Sequence, residues 1–298
     1  MGLMINNNSM ALNATNNLSR NYGNLQTSTQ RLSSGLRINS AADDAAGLAI
    51  RELMRADISA LKQGVRNAND AISMIQTADG ALGIIDEKLI RMKELAEQAA
   101  TGTYDSVQRL MIESEYQAMA SEITRIANAT DFNGIHLLNG NLSGAHVGSG
   151  KSAKDLSSVG KLKVHFGTGN DSAEDYYYVQ IGSSTASALG VGSAAGGDGA
   201  TVSTQQAAQK ALEAINNAIV SKDKIRANLG AMQNRLENTI SNLNIQAENL
   251  QAAESRISDV DVATEMTTFV RNQILTQSAV AMLSQANSVP RLALQLMG

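Results

Sequence analysis

Apolar residues recur at steps of three and four from about Ala41 to Ala100. Ile58, Leu61, Val65, Ala68, Ile72 and Ile75 are followed, after a one-step slip, by Ala78, Leu82, Ile85, Leu89, Met92 and Ala96. This spacing keeps one helical face apolar over many turns and defines a heptad seam. Arg51, Asp57, Lys62, Arg66, Asp70, Asp86, Lys88 and Glu94 fall between the seam residues, so the other faces are polar. At about 1.5 Å per residue one such helix spans on the order of 85 Å. The pattern therefore predicts a mainly α protein, a long antiparallel coiled-coil rod whose seam needs partner helices. A second helix is predicted from about Tyr104 to Ala129 through Ile112, Tyr116, Met119, Ile123 and Ile126. Only the short break Thr101-Gly102-Thr103 precedes it, so it should fold back on the first. Ile215, Ile219, Ile225, Leu229, Met232, Leu236, Ile240, Leu243, Ala247 and Leu250 predict a third rod helix.

The two ends of the chain resemble each other. Residues 1–40 hold no acid, and their charges are Arg20, Arg31 and Arg37. Met4, Leu18, Leu25 and Leu32 form a thin stripe that buries little area against the entropy of ordering, so this segment is expected to order on assembly. At the other end, Val262, Met266, Phe269, Val270, Ile274, Met282 and Leu283 predict a charge-poor final helix. A connector precedes the long helix at Gln30 to Gly47, with Gly35 as a helix stop and Ser40 or Asp43 as a cap. Ser255 to Asp261 mirrors it. Two apolar-striped, charge-poor termini invite pairing with each other and with further copies.

The middle differs in pattern. Asn133-Gly134 predicts a tight turn, and half of the chain's 24 glycines fall between Gly144 and Gly199. Leu162, Val164 and Phe166 alternate with Lys161, Lys163 and His165, and Tyr177, Val179 and Ile181 with Tyr176, Tyr178 and Gln180, which predicts a hairpin. Ser183 to Thr204 reads as small-residue loop. The expected organisation is an N-terminal assembly helix and connector (1–40), the N-terminal half of the rod (41–140), an outward β/loop module (141–203), a C-terminal rod helix (204–255) and a C-terminal assembly helix (256–298).

Composition narrows the function. Aromatic residues make up 3% of the 298, with no Trp, so aliphatic stripes must supply the packing. The net charge of -4 comes from interleaved signs, which argues against a nucleic-acid partner. Cysteine is absent, which removes disulfides and thiolate metal sites. No stretch reaches a membrane span, and the opening residues lack the pattern of a secretory signal peptide. His136, His146 and His165 form no HExxH pair. Asp171, Glu174 and Asp175 lack the spacing of a calcium loop, and Gly190-Val191-Gly192 lacks the context of a dinucleotide fold. The expectation is a non-enzyme with no catalytic residues, no cofactor and no metal.

Several linked motifs carry a resemblance. The opening INNN at Ile5–Asn8, the QRLSSGLRINS connector at Gln30–Ser40 with DDAAG at Asp43–Gly47, the Phe132-Asn133-Gly134 turn and the closing AMLSQAN at Ala281–Asn287 resemble bacterial flagellins over roughly residues 1–140 and 205–298. The resemblance implies a filament subunit for motility, with terminal segments that are disordered in the free subunit and become paired helices lining the filament channel. It also implies unfolded export by the flagellar type III apparatus to an extracellular flagellum, and an export chaperone on the Val262–Leu296 helix. Hook-junction and cap proteins are the implied neighbours, and a hook-filament junction protein is the alternative reading. A further implication is recognition of the monomer by Toll-like receptor five of a host. The residues that match are Arg91 and Leu95 in Ile90–Gln98 and Glu115 in Ile112–Tyr116, all expected on flanks of their seams.

Overall fold

The long apolar seam forms one continuous helix, α2 (Ala45–Ala100), and each polar or glycine-containing break marks the end of an element. The computed structural model describes residues 8–142, 160–172 and 174–297, with backbone alone for 289–297. Met4, the first three residues of the INNN motif and His146 lie outside the described residues. In chain order the elements are α1 (Ser9–Ser34), α2, α3 (Ser106–Ala129), β1 (Asp131–Phe132), β2 (Ile135–His136), β3 (Leu162–His165), β4 (Tyr176–Val179), α4 (Ala186–Leu189), a 3-10 turn at Ser193–Ala195, α5 (Gln205–Ser258) and α6 (Val262–Met297). The chain divides into two compact units, residues 59–247 and residues 1–58 with 248–298, and α2 and α5 supply residues to both.

The unit of residues 59–247 holds a continuous apolar core. Leu82, Ile85, Leu89 and Met92 of α2, Tyr116 and Ile123 of α3, and Ile215, Leu229 and Leu236 of α5 are buried in one cluster. The α2–α3 reversal is fastened by Arg109, which donates to the carbonyls of Ala99 at 3.0 Å and Thr101 at 2.8 Å, the unpaired end of α2. Asp105 caps α3 in a capping box with Gln108. The Asn133-Gly134 turn takes positive φ at both residues, 51° and 80°, as a two-residue hairpin between β1 and β2 requires.

The second hairpin also forms, with Leu162 opposite Val179 and His165 opposite Tyr176. Its inward face, Val164, Phe166, Val179 and Ile181, is buried, as the alternation predicts. It lies directly on α2, because Asn67 donates to the His165 carbonyl at 2.8 Å and a Cβ on Gly64 would collide with the Phe166 carbonyl. At the hairpin tip the Asp175 carboxylate accepts from the Asp171 amide at 2.7 Å and the Gly169 amide at 3.3 Å, so it is spent on the turn. Residues 183–204 are more ordered than a small-residue loop. They contain α4, and Gln117 and Glu113 of α3 clasp them: Gln117 donates to the Ala200 carbonyl at 2.6 Å and accepts from the Ser193 amide at 2.9 Å, while Glu113 accepts from the Val202 amide at 2.5 Å. Tyr116 donates to the Gly199 carbonyl at 2.8 Å, and burial pushes its phenol pKa up. The partners for this loop sit on another element, which local composition does not show.

The other unit is built differently. α1 packs along α6 in antiparallel fashion, with Asn8 donating to the Ala286 carbonyl at 2.8 Å at one end and Arg31 facing Glu265 at 3.8 Å at the other. Among the described side chains of this pair, Ser28 of α1 and Asn272, Thr276 and Ala286 of α6 are buried, and Leu18, Leu25 and Leu32 of α1 and Phe269 and Leu283 of α6 are half-buried. Gly35 ends α1 at φ 72° with its amide on the Arg31 carbonyl, as expected of a helix stop. The two connectors then pair with each other. The Arg37 amide donates to the Ser258 carbonyl at 2.7 Å, the Val260 amide donates to the Gly35 carbonyl at 3.0 Å, and the Arg37 side chain donates to the Ile257 carbonyl. To reach this pairing α5 runs on to Ser258, four residues into the Ser255–Asp261 stretch expected to be connector.

The cap of α2 is Asp44, whose carboxylate accepts from the Gly47 amide at 2.9 Å; neither Ser40 nor Asp43 serves there. Asp43 instead closes the preceding turn, accepting from the Ser40 amide at 2.9 Å and hydroxyl at 3.0 Å. Asp261 caps α6, accepting from the Ala263 amide at 3.0 Å and the Thr264 hydroxyl at 2.8 Å. Hydrogen bonds from Ser40 and Asn39 hold the Asp43 pKa below its ordinary value, and those from Thr264 and Ala263 lower that of Asp261. A depressed carboxylate stabilises above its unfolded pKa, and that contribution fades as pH falls through the folded pKa. Hydrogen-exchange protection at the Ser40 and Thr264 amides, corrected for intrinsic rate, should therefore hold at neutral pH and fall as pH drops through and below the ordinary carboxylate range.

Candidate functional site

Arg91 lies on α2 and Glu115 on α3, and the antiparallel reversal brings them together. The Arg91 guanidinium donates through Nε and Nη2 to Glu115 Oε1 at 3.0 and 2.8 Å, and through Nη1 to Glu94 at 2.9 Å. The side chains of Arg91 and Glu115 remain 49% and 44% exposed, so the pair stands on the surface as a charged bridge between two helices. Glu115 first, then Glu94, raises the Arg91 pKa, so the cation is permanent. Ile90, Leu110 and Met111 present exposed apolar surface on the same two helices. The arrangement offers a fixed guanidinium and a carboxylate for recognition; it holds no nucleophile poised by a base.

Leu95 requires a correction. The seam spacing places it on a flank, yet it is only 2% exposed and belongs to the core cluster. The reason is that α2 packs against both α3 and α5. Two partners widen the buried stripe from one residue per step to pairs such as Ala81 and Leu82 or Leu95 and Ala96. Leu95 thus supports the Arg91 turn from beneath.

Sequence reasoning also passed over Lys222. It is 2% exposed, yet it is a lysine in the α5 seam, and its ammonium pairs with Asp86 of α2 and with Asp223 at 2.8 Å. One turn on, Arg226 holds Asp79 at 2.7 and 3.1 Å, and Asp79 is the leading cause of a raised Arg226 pKa. The available signal was the gap between Ile219 and Ile225, which leaves a lysine in phase with the apolar positions. Among the described residues no group of three or more His, Asp or Glu side chains could hold a metal ion, and no helix is long and apolar enough to cross a membrane.

A third group of residues is defined by exposure. On α6, Val262, Met266, Val270, Ile274, Leu275, Val280 and Met282 are exposed, and on α1, Met10, Leu12 and Tyr22. These faces have no partner within the chain among the described residues, while Leu18, Leu25 and Leu32 of α1 and Phe269 and Leu283 of α6 are half-buried. Such a distribution belongs to a helical structural subunit whose chain ends are finished by contacts with other molecules.

Comparison with known proteins gives the class a name. Residues 5–143 match the bacterial flagellin N-terminal helical region and residues 212–297 the bacterial flagellin C-terminal helical region. A flagellin of Bacillus subtilis is 42% identical over 99% of this chain and 100% of its own, and a flagellar filament 33 kDa core protein of Treponema phagedenis is 39% identical over 99% and 100%. A solved hook-associated protein structure from Vibrio parahaemolyticus, at 14% identity and a TM-score of 0.55, covers 73% of this chain and 100% of its own and shares the fold alone. The chain belongs to the bacterial flagellin family, whose members are structural subunits of the flagellar filament.

Proposed function

We propose that this chain polymerises with copies of itself through α1 and α6 to build the filament wall, outside the cell. The observation that carries the reading is the row Val262, Met266, Val270 and Ile274, exposed at successive steps of four on a helix whose other side already packs on α1. Burying such side chains among neighbours contributes roughly 1.5–3 kcal/mol each. Hook-junction and cap proteins are the neighbours at the two ends of the polymer, and an export chaperone covers the same α6 face before secretion through the flagellar type III apparatus. Full-length identity to filament proteins supports the filament subunit over a hook-filament junction protein, since the junction-type likeness extends to the fold only. The test is to replace Val270 or Ile274 by Asp. Each variant should remain helical by circular dichroism and fail to extend filament seeds, because a carboxylate would be buried without a partner. Extension at the parental rate would overturn the reading.

The monomer is also proposed as a ligand of Toll-like receptor five through Arg91 and Glu115, with Leu95 acting from below. The exposed guanidinium bridge and its apolar surroundings support this. Arg91→Ala should abolish receptor binding and leave the melting temperature essentially unchanged, because an exposed ion pair adds little to folding. Leu95→Ala should destabilise the chain by roughly 2–5 kcal/mol through a core cavity, so its effect on binding must be read against its melting curve. Parental receptor affinity in a folded Arg91→Ala monomer would remove the site.

A further inference from the structure

Sulfur in this chain is carried by methionine alone, since the 298 residues include 12 Met and no Cys. Among the methionines whose side chains are described, Met54, Met119 and Met232 are half-buried and the others are either buried or exposed. Met74 and Met92 sit in the core at 2% and 0% exposure, whereas Met10, Met282 and Met266 are 61%, 63% and 46% exposed. These last three lie on α1 and α6. Met10 and Met282 stand at the same end of the pair, beside the Asn8–Ala286 hydrogen bond, and Met266 is next to Glu265 at the other end. Met111 is also exposed, at 68%, but on α3.

We propose that Met10, Met266 and Met282 are oxidation sites that gate assembly. The inference rests on the proposed burial of α1 and α6 among copies. Hydrogen peroxide transfers one oxygen to the thioether sulfur as its O–O bond breaks; sulfur loses two electrons, and the second oxygen leaves as water. The product sulfoxide is polar and chiral where the thioether was apolar and flexible. A free monomer accepts this change because its sulfurs face water. A subunit entering the filament would have to bury the S=O group against apolar side chains, without a hydrogen-bond donor matched to it. Oxidised monomers are therefore excluded from growing ends, and subunits already assembled are shielded.

The experiment treats intact monomers with dilute peroxide, maps sulfoxides by mass spectrometry and measures seeded elongation. Met10, Met266, Met282 and Met111 should oxidise and Met74 and Met92 should not, with elongation slowed on the order of tenfold or more. A chain carrying Met10→Leu, Met266→Leu and Met282→Leu, which keeps these positions apolar at similar volume, is compared with itself: peroxide should leave its own untreated elongation rate unchanged although Met111 still oxidises. Methionine sulfoxide reductases should restore the treated parent. Unchanged elongation of the oxidised parent, or equal loss in the triple variant, would overturn the inference alone. Failure of the untreated parent to elongate would instead overturn the assembly reading, and this inference with it.

Discussion

Removal of residues 1–35 should abolish filament elongation while leaving a folded, helical protein. The deletion takes away α1 and with it the long contact along α6, the Asn8–Ala286 bond and the Arg31–Glu265 pair. It also takes away the Gly35 carbonyl that accepts from Val260. Nothing in the apolar cluster of residues 59–247 depends on these residues, since its members come from α2, α3, α5 and the segment between them. Circular dichroism should therefore retain a cooperative melting transition from that unit, with helicity reduced by the lost α1 and a loosened α6. Elongation should fall below detection, because half of the assembling surface is gone. A truncated chain that extends seeds normally would show that α1 is dispensable and that the assembly surface lies elsewhere.

The second large effect is expected at Lys222. Replacing it by Met leaves the Asp86 carboxylate facing an apolar seam without its cation. Breaking a fully buried pair costs about 3–5 kcal/mol, but Asp86 keeps 28% of its side-chain surface in water, so the expected loss is roughly 2–3 kcal/mol. Replacing both residues, Lys222→Met with Asp86→Leu, should recover most of that loss, because a well-packed apolar pair of similar volume avoids desolvating two charges. Urea unfolding of the residue 59–247 unit measures both, with a shift in midpoint at constant slope. A double variant as unstable as the single one would mean that the ion pair itself, and not the stranded carboxylate, carries the energy.

The sequence was most informative where a local pattern alone determines the element. The seam of α2, the α3 reversal, the Asn133-Gly134 turn, the β3–β4 alternation and Gly35 all depend on local geometry, and all appear as expected. Leu95 and Lys222 show where that logic stops. A heptad reading assumes a single stripe, whereas α2 meets α3 on one side and α5 on the other, so Leu95 on the apparent flank is buried. Lys222 occupies an apolar phase only because Asp86 lies across from it, and the register between α2 and α5 is not written in either helix alone. The clasp of Glu113 and Gln117 on residues 193–202 is a tertiary fact of the same kind. At the ends, an apolar stripe predicted a need for partners. In the structure Leu18, Leu25 and Leu32 of α1 and Phe269 and Leu283 of α6 are half-buried, while Val262, Met266, Val270, Ile274 and Met282 of α6 are exposed.

Assembly through those outward faces is the central claim, and seeded growth tests it most directly. Purified monomer obtained by heat depolymerisation is mixed with short filament fragments and followed by electron microscopy. The account predicts long filaments from the intact chain alone, with no other protein present. Monomers that persist beside unchanged seeds would contradict it and move the chain to a role that requires a different neighbour.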